Sequence, residues 1–260
     1  DGIEGVVYID PDEETMKEYT AKKNEYESAR EALNDMVGKP AVTKSGKKIQ
    51  IFANVGNVDD VRKAKLSDAE GIGLFRSEFL YIGRDDFPTE DEQFESYQAA
   101  AEIMNGREVI IRTLDIGADK KADYFGLADE DNPAMGMRAI RICLTRPEIF
   151  KTQLRALYRA SAFGTISIMF PMITSVEQID KIWKITDEVM QELDSHNIKY
   201  GDVKRGIMIE TPAAAVISDL LADKVDFFSI GTNDLTQYTL AMDRQNASIS
   251  GFMNTHHPAV

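Results

Sequence analysis

From Lys48 onward the chain alternates short, nearly continuous apolar runs with longer stretches of helical spacing. The short runs are Ile49–Val55, Gly71–Phe75, Glu108–Thr113, Thr165–Met169, Gly206–Ile209 and Asp226–Ile230. Such runs predict strands of a parallel sheet whose two faces are both covered. The stretches between them, Val58–Ser67, Thr89–Met104, Pro133–Leu144, Glu148–Ala162, Ser175–Ser195 and Thr211–Leu221, predict the crossover helices. No internal repeat or low-complexity segment interrupts this order.

The first 40 residues follow a different pattern. Residues 2–9 (Ile3, Val6, Val7, Tyr8, Ile9) predict a strand. Pro11 and the acidic residues after it open a helix that runs to about Met36, where the helix dipole favours negative charge at the start. Its apolar positions, Met16, Tyr19, Tyr26, Ala29, Leu33 and Met36, form only a thin stripe, so an exposed linker helix ended by Gly38 and Pro40 is expected. The division is therefore a strand and linker over residues 1–40 and the main domain over 41–260.

Composition narrows the class of function. With 43% hydrophobic and 28% charged residues, the chain reads as globular. A net charge of −14 argues against a nucleic-acid or anionic-membrane binder. It does not exclude a small anionic ligand, because a few arginines in a cleft reverse the local sign. The apolar runs are too short to span a bilayer. The one cysteine, Cys143, allows no intrachain disulfide and leans toward a reducing, cytoplasmic setting. The Asp1-Gly-Ile-Glu-Gly start is no signal peptide and suggests a processed chain or a fragment.

The chemistry-bearing residues gather at strand ends. Arg76 and Arg112 each sit at the C-terminal end of a predicted strand, Arg138 and Arg141 lie on the Ala134–Leu144 segment, and Lys120 closes Asp115-Ile-Gly-Ala-Asp-Lys. Arg244 follows the last strand. Guanidinium forks suit phosphate and carboxylate. Glu210 and Asp234 follow the fifth and sixth strands, and two hard oxygen donors there suit Mg²⁺. Helix capping is the alternative for that neighbourhood, through Thr211 or Thr236 as readily as through the acids. Asn233 is open to a phosphate contact or to a plain turn role. Strand-end polar residues of this kind are how a parallel α/β barrel builds a site at its C-terminal rim, and six strands are counted where a closed barrel has eight. The fold class is thus α/β, a TIM-type barrel, incomplete. His196, His256 and His257 read as solvated, Cys143 as a packed thiol, and Gly71-Ile-Gly73 lacks the third glycine of a dinucleotide fingerprint.

Residues 73–80, 88–94, 111–120, 159–164, 168–173, 208–215 and 226–244 together resemble enzyme I of the bacterial sugar phosphotransferase system, within the phosphoenolpyruvate-utilising barrels. The resemblance covers essentially the whole chain. It implies that phosphoenolpyruvate binds at the barrel rim with Mg²⁺, that its phosphoryl group passes to a histidine on an upstream swivelling domain with release of pyruvate, and that this phosphohistidine loads a histidine-containing phosphocarrier protein. It implies Arg76 and Arg112 as the catalytic grip on the phosphoryl group and Glu210 and Asp234 as metal ligands. Asn233 and Arg244 become substrate contacts, with Lys120 and Arg138 as further ones. It also implies a homodimer for the full-length family. Two departures stand out. The histidine domain is represented only by residues 1–10, as its last strand, and the linker helix. The family's last two strands, one bearing a cysteine that donates a proton to the enolate carbon, have no counterpart here, and Cys143 does not match that cysteine. A fragment that binds without turnover, with two open sheet edges prone to association, is the expectation. A piece of a pyruvate phosphate dikinase or phosphoenolpyruvate synthase, or a non-catalytic phosphoenolpyruvate sensor, is the alternative.

Overall fold

The computed structural model describes residues 5–117 and 122–260. The chain separates into two compact units, residues 1–50 and 51–260. In the first, helix α1 (Glu13–Asn34) starts at Asp12, whose carboxylate accepts the Thr15 N–H at 2.8 Å, and Glu13 and Glu14 fill its first turn. No residue of α1 is buried, as the thin apolar stripe predicts. Strands β1 (Ala41–Val42) and β2 (Lys48–Ile49) then pair antiparallel across a turn with Gly46 at φ +86°.

Two expectations fail in this region. The strand foreseen over residues 2–9 is not formed by its described part: residues 5–10 join neither sheet, and Val7 and Ile9 are 85% and 86% exposed. An apolar run becomes a strand only where a neighbour pairs with its backbone. The run Ile49–Val55 is divided, β2 joining the hairpin and β3 (Phe52–Val55) the main sheet. Glu70 marks the division, since it takes the Ile51 N–H on its carboxylate at 2.8 Å and donates its own N–H to the Ile51 carbonyl at 2.9 Å. Residues 41–50 fall in the same compact unit as α1.

The second unit is a six-stranded sheet of β3, β4 (Gly71–Arg76), β5 (Val109–Arg112), β6 (Ile166–Phe170), β7 (Lys204–Ile209) and β8 (Phe227–Ile230). Every neighbouring pair is parallel, and the strands lie side by side in chain order. Consecutive order without reversal is the winding of a TIM-type barrel, as opposed to a doubly wound sheet. The six predicted strands all appear, within two residues of their expected ends apart from the divided first run. All five residues of β6 are buried, whereas β8, at the edge, leaves Ile230 70% exposed.

Helices α2 (Val58–Leu66), α3 (Glu90–Met104), α4 (Ile140–Thr145), α5 (Pro147–Ser161), α6 (Val176–Ser195), α7 (Pro212–Val216), α8 (Ser218–Ala222) and α9 (Thr232–Thr239) fill the connections. On α5 the buried positions Phe150, Gln153, Leu154, Leu157 and Ser161 keep helical spacing, and on α3 Gln93, Tyr97, Ala100, Ala101 and Met104 do the same. These faces meet Phe75, Ile111, Ile168 and Phe170 in one core. Two predicted helices are broken. Pro133–Leu144 becomes a 3₁₀ turn at Pro133–Met135 and α4, because the Ala139 N–H is drawn to the Ile116 carbonyl and Ala139 takes φ +50°. Thr211–Leu221 divides into α7 and α8 at Ile217.

The start of α3 is a reciprocal cap. Thr89 Oγ1 accepts the Glu92 N–H at 3.2 Å, and Glu92 accepts the Thr89 N–H at 2.7 Å. Replacing Thr89 by Ala is expected to cost about 1 kcal/mol. That corresponds to a loss of about 2–4 °C in midpoint for a domain of this size, read by calorimetry.

Candidate active site

Parallel winding sends every strand's C-terminal end to the same rim, and the buried charges collect there. Arg76 ends β4 and Arg112 ends β5, and the two are register partners. The chain then runs on through the 3₁₀ helix Ser77–Leu80 and the irregular segment 113–116, which set Glu78 and Asp115 beside Arg112. Arg112 Nη2 donates to Glu78 at 2.6 Å, and Nη1 lies 2.9 Å from Asp115 Oδ2. The other Asp115 oxygen accepts from Arg138 at 3.0 Å, and Arg138 Nη1 lies 3.8 Å from Asp234 Oδ1. Arg244 Nη1 donates to Asp234 Oδ2 at 3.2 Å. The result is an alternating line, Glu78–Arg112–Asp115–Arg138–Asp234–Arg244, of which all but Arg244 is buried.

Burial opposes the charge on Arg112, but Asp115, Glu78, Glu210 and Asp234 together outweigh it and raise its pKa. Burial likewise opposes Arg138, and Asp115 leads the groups that raise it. Both stay cationic at any working pH. Tyr238, on α9, donates to the Ala134 carbonyl while its hydroxyl oxygen accepts from Arg138 at 3.2 Å. Gln237 accepts the Arg244 N–H at 3.0 Å. Beyond Arg138 and Arg244 a cleft of about 470 Å³ opens between Pro133, Met135, Tyr238 and Met242.

Glu210, just past β7, is 1% exposed. Its Oε1 accepts the Met172 N–H at 2.7 Å, from the loop after β6. Gly231 makes room for it: a Cβ there would stand 2.5 Å from Glu210 Oε2. Burial, then repulsion by Asp115 and Asp234, pushes the Glu210 carboxyl up from its ordinary 4.5 to about 7. Among the described residues no lysine or arginine nitrogen forms an ion pair with it, and Asp234 Oδ1, also buried, has no hydrogen-bond partner. Two buried, mutually repelling carboxylates with an oxygen to spare fit a hard dication such as Mg²⁺, whose other positions go to water and ligand oxygens. No group of three His, Cys, Asp or Glu is arranged for a metal among the described residues.

The sequence candidates therefore divide. Arg112, Arg138, Asp234, Arg244 and Glu210 form one neighbourhood. Arg76 joins it by register but pairs with no carboxylate among the described residues, and its guanidinium lies 4.9 Å from the Phe79 ring centre. Asn233 is exposed on the first turn of α9. Lys120 lies outside the described residues. Arg141 turns elsewhere, donating to the Met135 and Gly136 carbonyls. Thr211 performs the capping of α7, accepting the Ala214 N–H at 3.1 Å, which leaves Glu210 free of that duty. Glu78 and Asp115 close the same strand-end runs as Arg76 and Arg112, so the sequence delivers these carboxylates to the rim without assigning either a role; an acid two or three residues beyond each strand-end arginine was the available signal. Tyr238 was missed.

A carboxyl that titrates near 4.5 unfolded and at about 7 folded makes the native state hold a proton that the unfolded chain releases. Stability is then undiminished below pH 4.5, falls as pH rises toward 7, and levels off above it. Removing the titration with Glu210→Gln is expected to stabilise the metal-free chain at pH 8 by on the order of 1–3 kcal/mol. The gain should vanish near pH 4.5. Denaturant unfolding at both pH values measures it.

Residues 30–260 match the family model described as the PEP-binding domain of PEP-utilising enzymes. The phosphoenolpyruvate-protein phosphotransferase of Bacillus subtilis (strain 168) is 48% identical over 265 aligned positions, covering 100% of this chain and 46% of the relative. Those of Haemophilus influenzae (strain ATCC 51907 / DSM 11121 / KW20 / Rd) and Staphylococcus carnosus (strain TM300) are 47% and 44% identical over 261, covering 100% of this chain and 45% and 46% of the relatives. The chain thus spans about half the length of the curated relatives it matches. With a parallel barrel sheet, a rim of buried arginines and carboxylates, and a domain match over nearly its whole length, this chain belongs to the family of PEP-utilising enzymes.

Proposed function

We propose that this chain binds phosphoenolpyruvate with Mg²⁺ at the C-terminal rim of its sheet. In the whole protein, the phosphoryl group would then pass to a histidine on another domain, the first step of sugar uptake by a phosphotransferase system. The observation that carries the reading is the buried line from Glu78 to Arg244 beside Glu210, because phosphoryl transfer demands chiefly positioning and charge neutralisation.

Each residue has a definable task. Arg112, with Arg76 alongside, faces the phosphoryl oxygens with guanidinium forks. Its pairs with Glu78 and Asp115 keep it from collapsing toward the ligand or away from it. Arg138 and Arg244, bordering the cleft, offer charge to the carboxylate end, and Asn233 an amide to the phosphate. Glu210 and Asp234 would hold the Mg²⁺, which neutralises charge on phosphoryl and enolate oxygens when bound. Transfer breaks the bond between phosphorus and the enol oxygen and forms one to an imidazole nitrogen of the acceptor. The enolate then takes a proton on carbon to become pyruvate. Cys143 is fully buried, and burial raises its thiol far above the usual range, so it is no candidate for that proton. Lys120 remains a proposed ligand contact. The relatives' printed names favour the phosphotransferase over a dikinase or synthase. A histidine-containing phosphocarrier partner, a full-length homodimer and a cytoplasmic setting rest on the family resemblance. No helix among the described residues is long and apolar enough to cross a membrane.

Arg76 is the cleanest test, because among the described residues no carboxylate depends on it for its counter-charge. In titration calorimetry with phosphoenolpyruvate, binding is expected to require Mg²⁺. Arg76→Ala is expected to weaken it by about 10–100-fold with little change in unfolding midpoint, the loss of charge-assisted bonds. Undiminished affinity in that variant would remove Arg76 from the site.

A further inference from the structure

Beneath the rim lies a second polar network that contributes no group to the proposed ligand. Gln153 is 1% exposed and sits in the apolar stripe of α5. Its Oε1 accepts the Leu114 N–H at 2.9 Å, and its Nε2 donates to Ser77 Oγ at 3.0 Å and to the Tyr97 hydroxyl at 3.1 Å. Tyr97 donates in turn to Gln93 Oε1 at 3.3 Å, as does Tyr81 at 3.0 Å, and Gln93 Nε2 donates to the Pro88 carbonyl at 3.2 Å. Directions in this network are forced at both ends. A backbone N–H can only donate and a carbonyl can only accept, so neither amide can be turned over.

The placement of the two rim partners gives Gln153 its meaning. Leu114 stands between Arg112 and Asp115 with one residue to spare, and Ser77 stands between Arg76 and Glu78. One buried amide therefore fastens the segments that follow β4 and β5, which carry Glu78 and Asp115 and start from Arg76 and Arg112 at the strand ends. Register alone sets Arg76 opposite Arg112 at the strand ends. It does not set the segments beyond, where Glu78 and Asp115 grip Arg112. A nonpolar side chain of the same size would pack on α5 equally well, yet would leave the Leu114 N–H, Ser77 and Tyr97 to find other partners.

We propose that Gln153 is a positioning residue for the phosphoryl-binding end of the site, holding the Arg76–Glu78 and Arg112–Asp115 turns at the separation a phosphoryl group requires. The proposal rests on the phosphoenolpyruvate reading above. It concerns the phosphoryl end alone, because the Gln153 amide touches neither Glu210, Asp234 nor Arg244.

The test compares two ligands on three forms of the chain. Phosphoenolpyruvate carries the phosphoryl group; oxalate, also an Mg²⁺ chelator, lacks it. Calorimetry with each, in Mg²⁺, is run on the unaltered chain, on Gln153→Met and on Gln93→Met, with circular dichroism confirming the folded state. Gln93→Met damages the same network without removing a hydrogen bond to any residue from Arg76 to Leu80 or from Arg112 to Asp115, its nearest rim contact being the Tyr81 hydroxyl just beyond. For Gln153→Met, phosphoenolpyruvate affinity is expected to fall about 10-fold or more, the scale of a displaced supporting group. Oxalate affinity should change less than about 3-fold, a shift of under 0.7 kcal/mol by RT ln K. Gln93→Met should lower the unfolding midpoint while sparing both affinities. Should Gln153→Met not fold, Ser77→Ala, which frees one turn only, is expected to show the same selective loss. Equal loss of both ligands, or unchanged phosphoenolpyruvate affinity in the folded variant, overturns the positioning role. Failure of the unaltered chain to bind phosphoenolpyruvate overturns the functional reading itself, and this role with it.

Discussion

The structure depends on charges that have been taken out of water and made to satisfy one another. Removing an arginine or carboxylate from solvent costs several kcal/mol per ion, and only close, hydrogen-bonded opposite charge offsets it. In the line from Glu78 to Arg244 each interior group lies between two of opposite sign, with separations from 2.6 to 3.8 Å. No member can move far without stranding its neighbour. The same constraint that makes the line costly to assemble keeps its forks aimed, and preorganised charge is what phosphoryl chemistry asks of a protein.

Glu210 lies beside this line with no lysine or arginine ion pair among the described residues, and burial with repulsion by Asp115 and Asp234 makes it hold its proton to about pH 7. A cation placed between Glu210 and Asp234 would relieve that repulsion. The proposed ligand and its proposed metal therefore suit a site that carries both guanidinium forks and a carboxylate without an ion-pair partner among the described residues. Gly231 belongs to this account, since any side chain there would displace the Glu210 carboxylate.

The rim rests on the packed layer below it. Apolar faces of α3 and α5 close over the buried strands β5 and β6, and within that contact Gln93, Tyr97 and Gln153 carry fully directed hydrogen bonds up to the two turns. A satisfied polar network inside an apolar core specifies one arrangement where hydrophobic packing alone tolerates several. Packing thus fixes the scaffold, and the amide of Gln153 connects it to the charges.

Much of this was legible along the chain. Six apolar runs predicted six strands, and helical spacing predicted the crossovers, because burial on both faces or on one stripe leaves a local imprint. Arg76, Arg112, Glu210 and Asp234 were visible as polar residues closing apolar runs, and the linker helix as a stripe too thin to bury. Glu78 and Asp115 were legible as acids close behind the strand-end arginines, but their pairing with Arg112 was not, and Gln153 is an unremarkable glutamine until α5 lies over the segments after β4 and β5. Nor could spacing show that Pro133–Leu144 breaks at Ala139, or that residues 5–10 stay out of both sheets. Periodicity reports which face of an element is buried, and so the order and kind of elements was settled by sequence. Which charge meets which was decided only in three dimensions, because ion pairs and amide bridges join residues whose separation along the chain carries no signal.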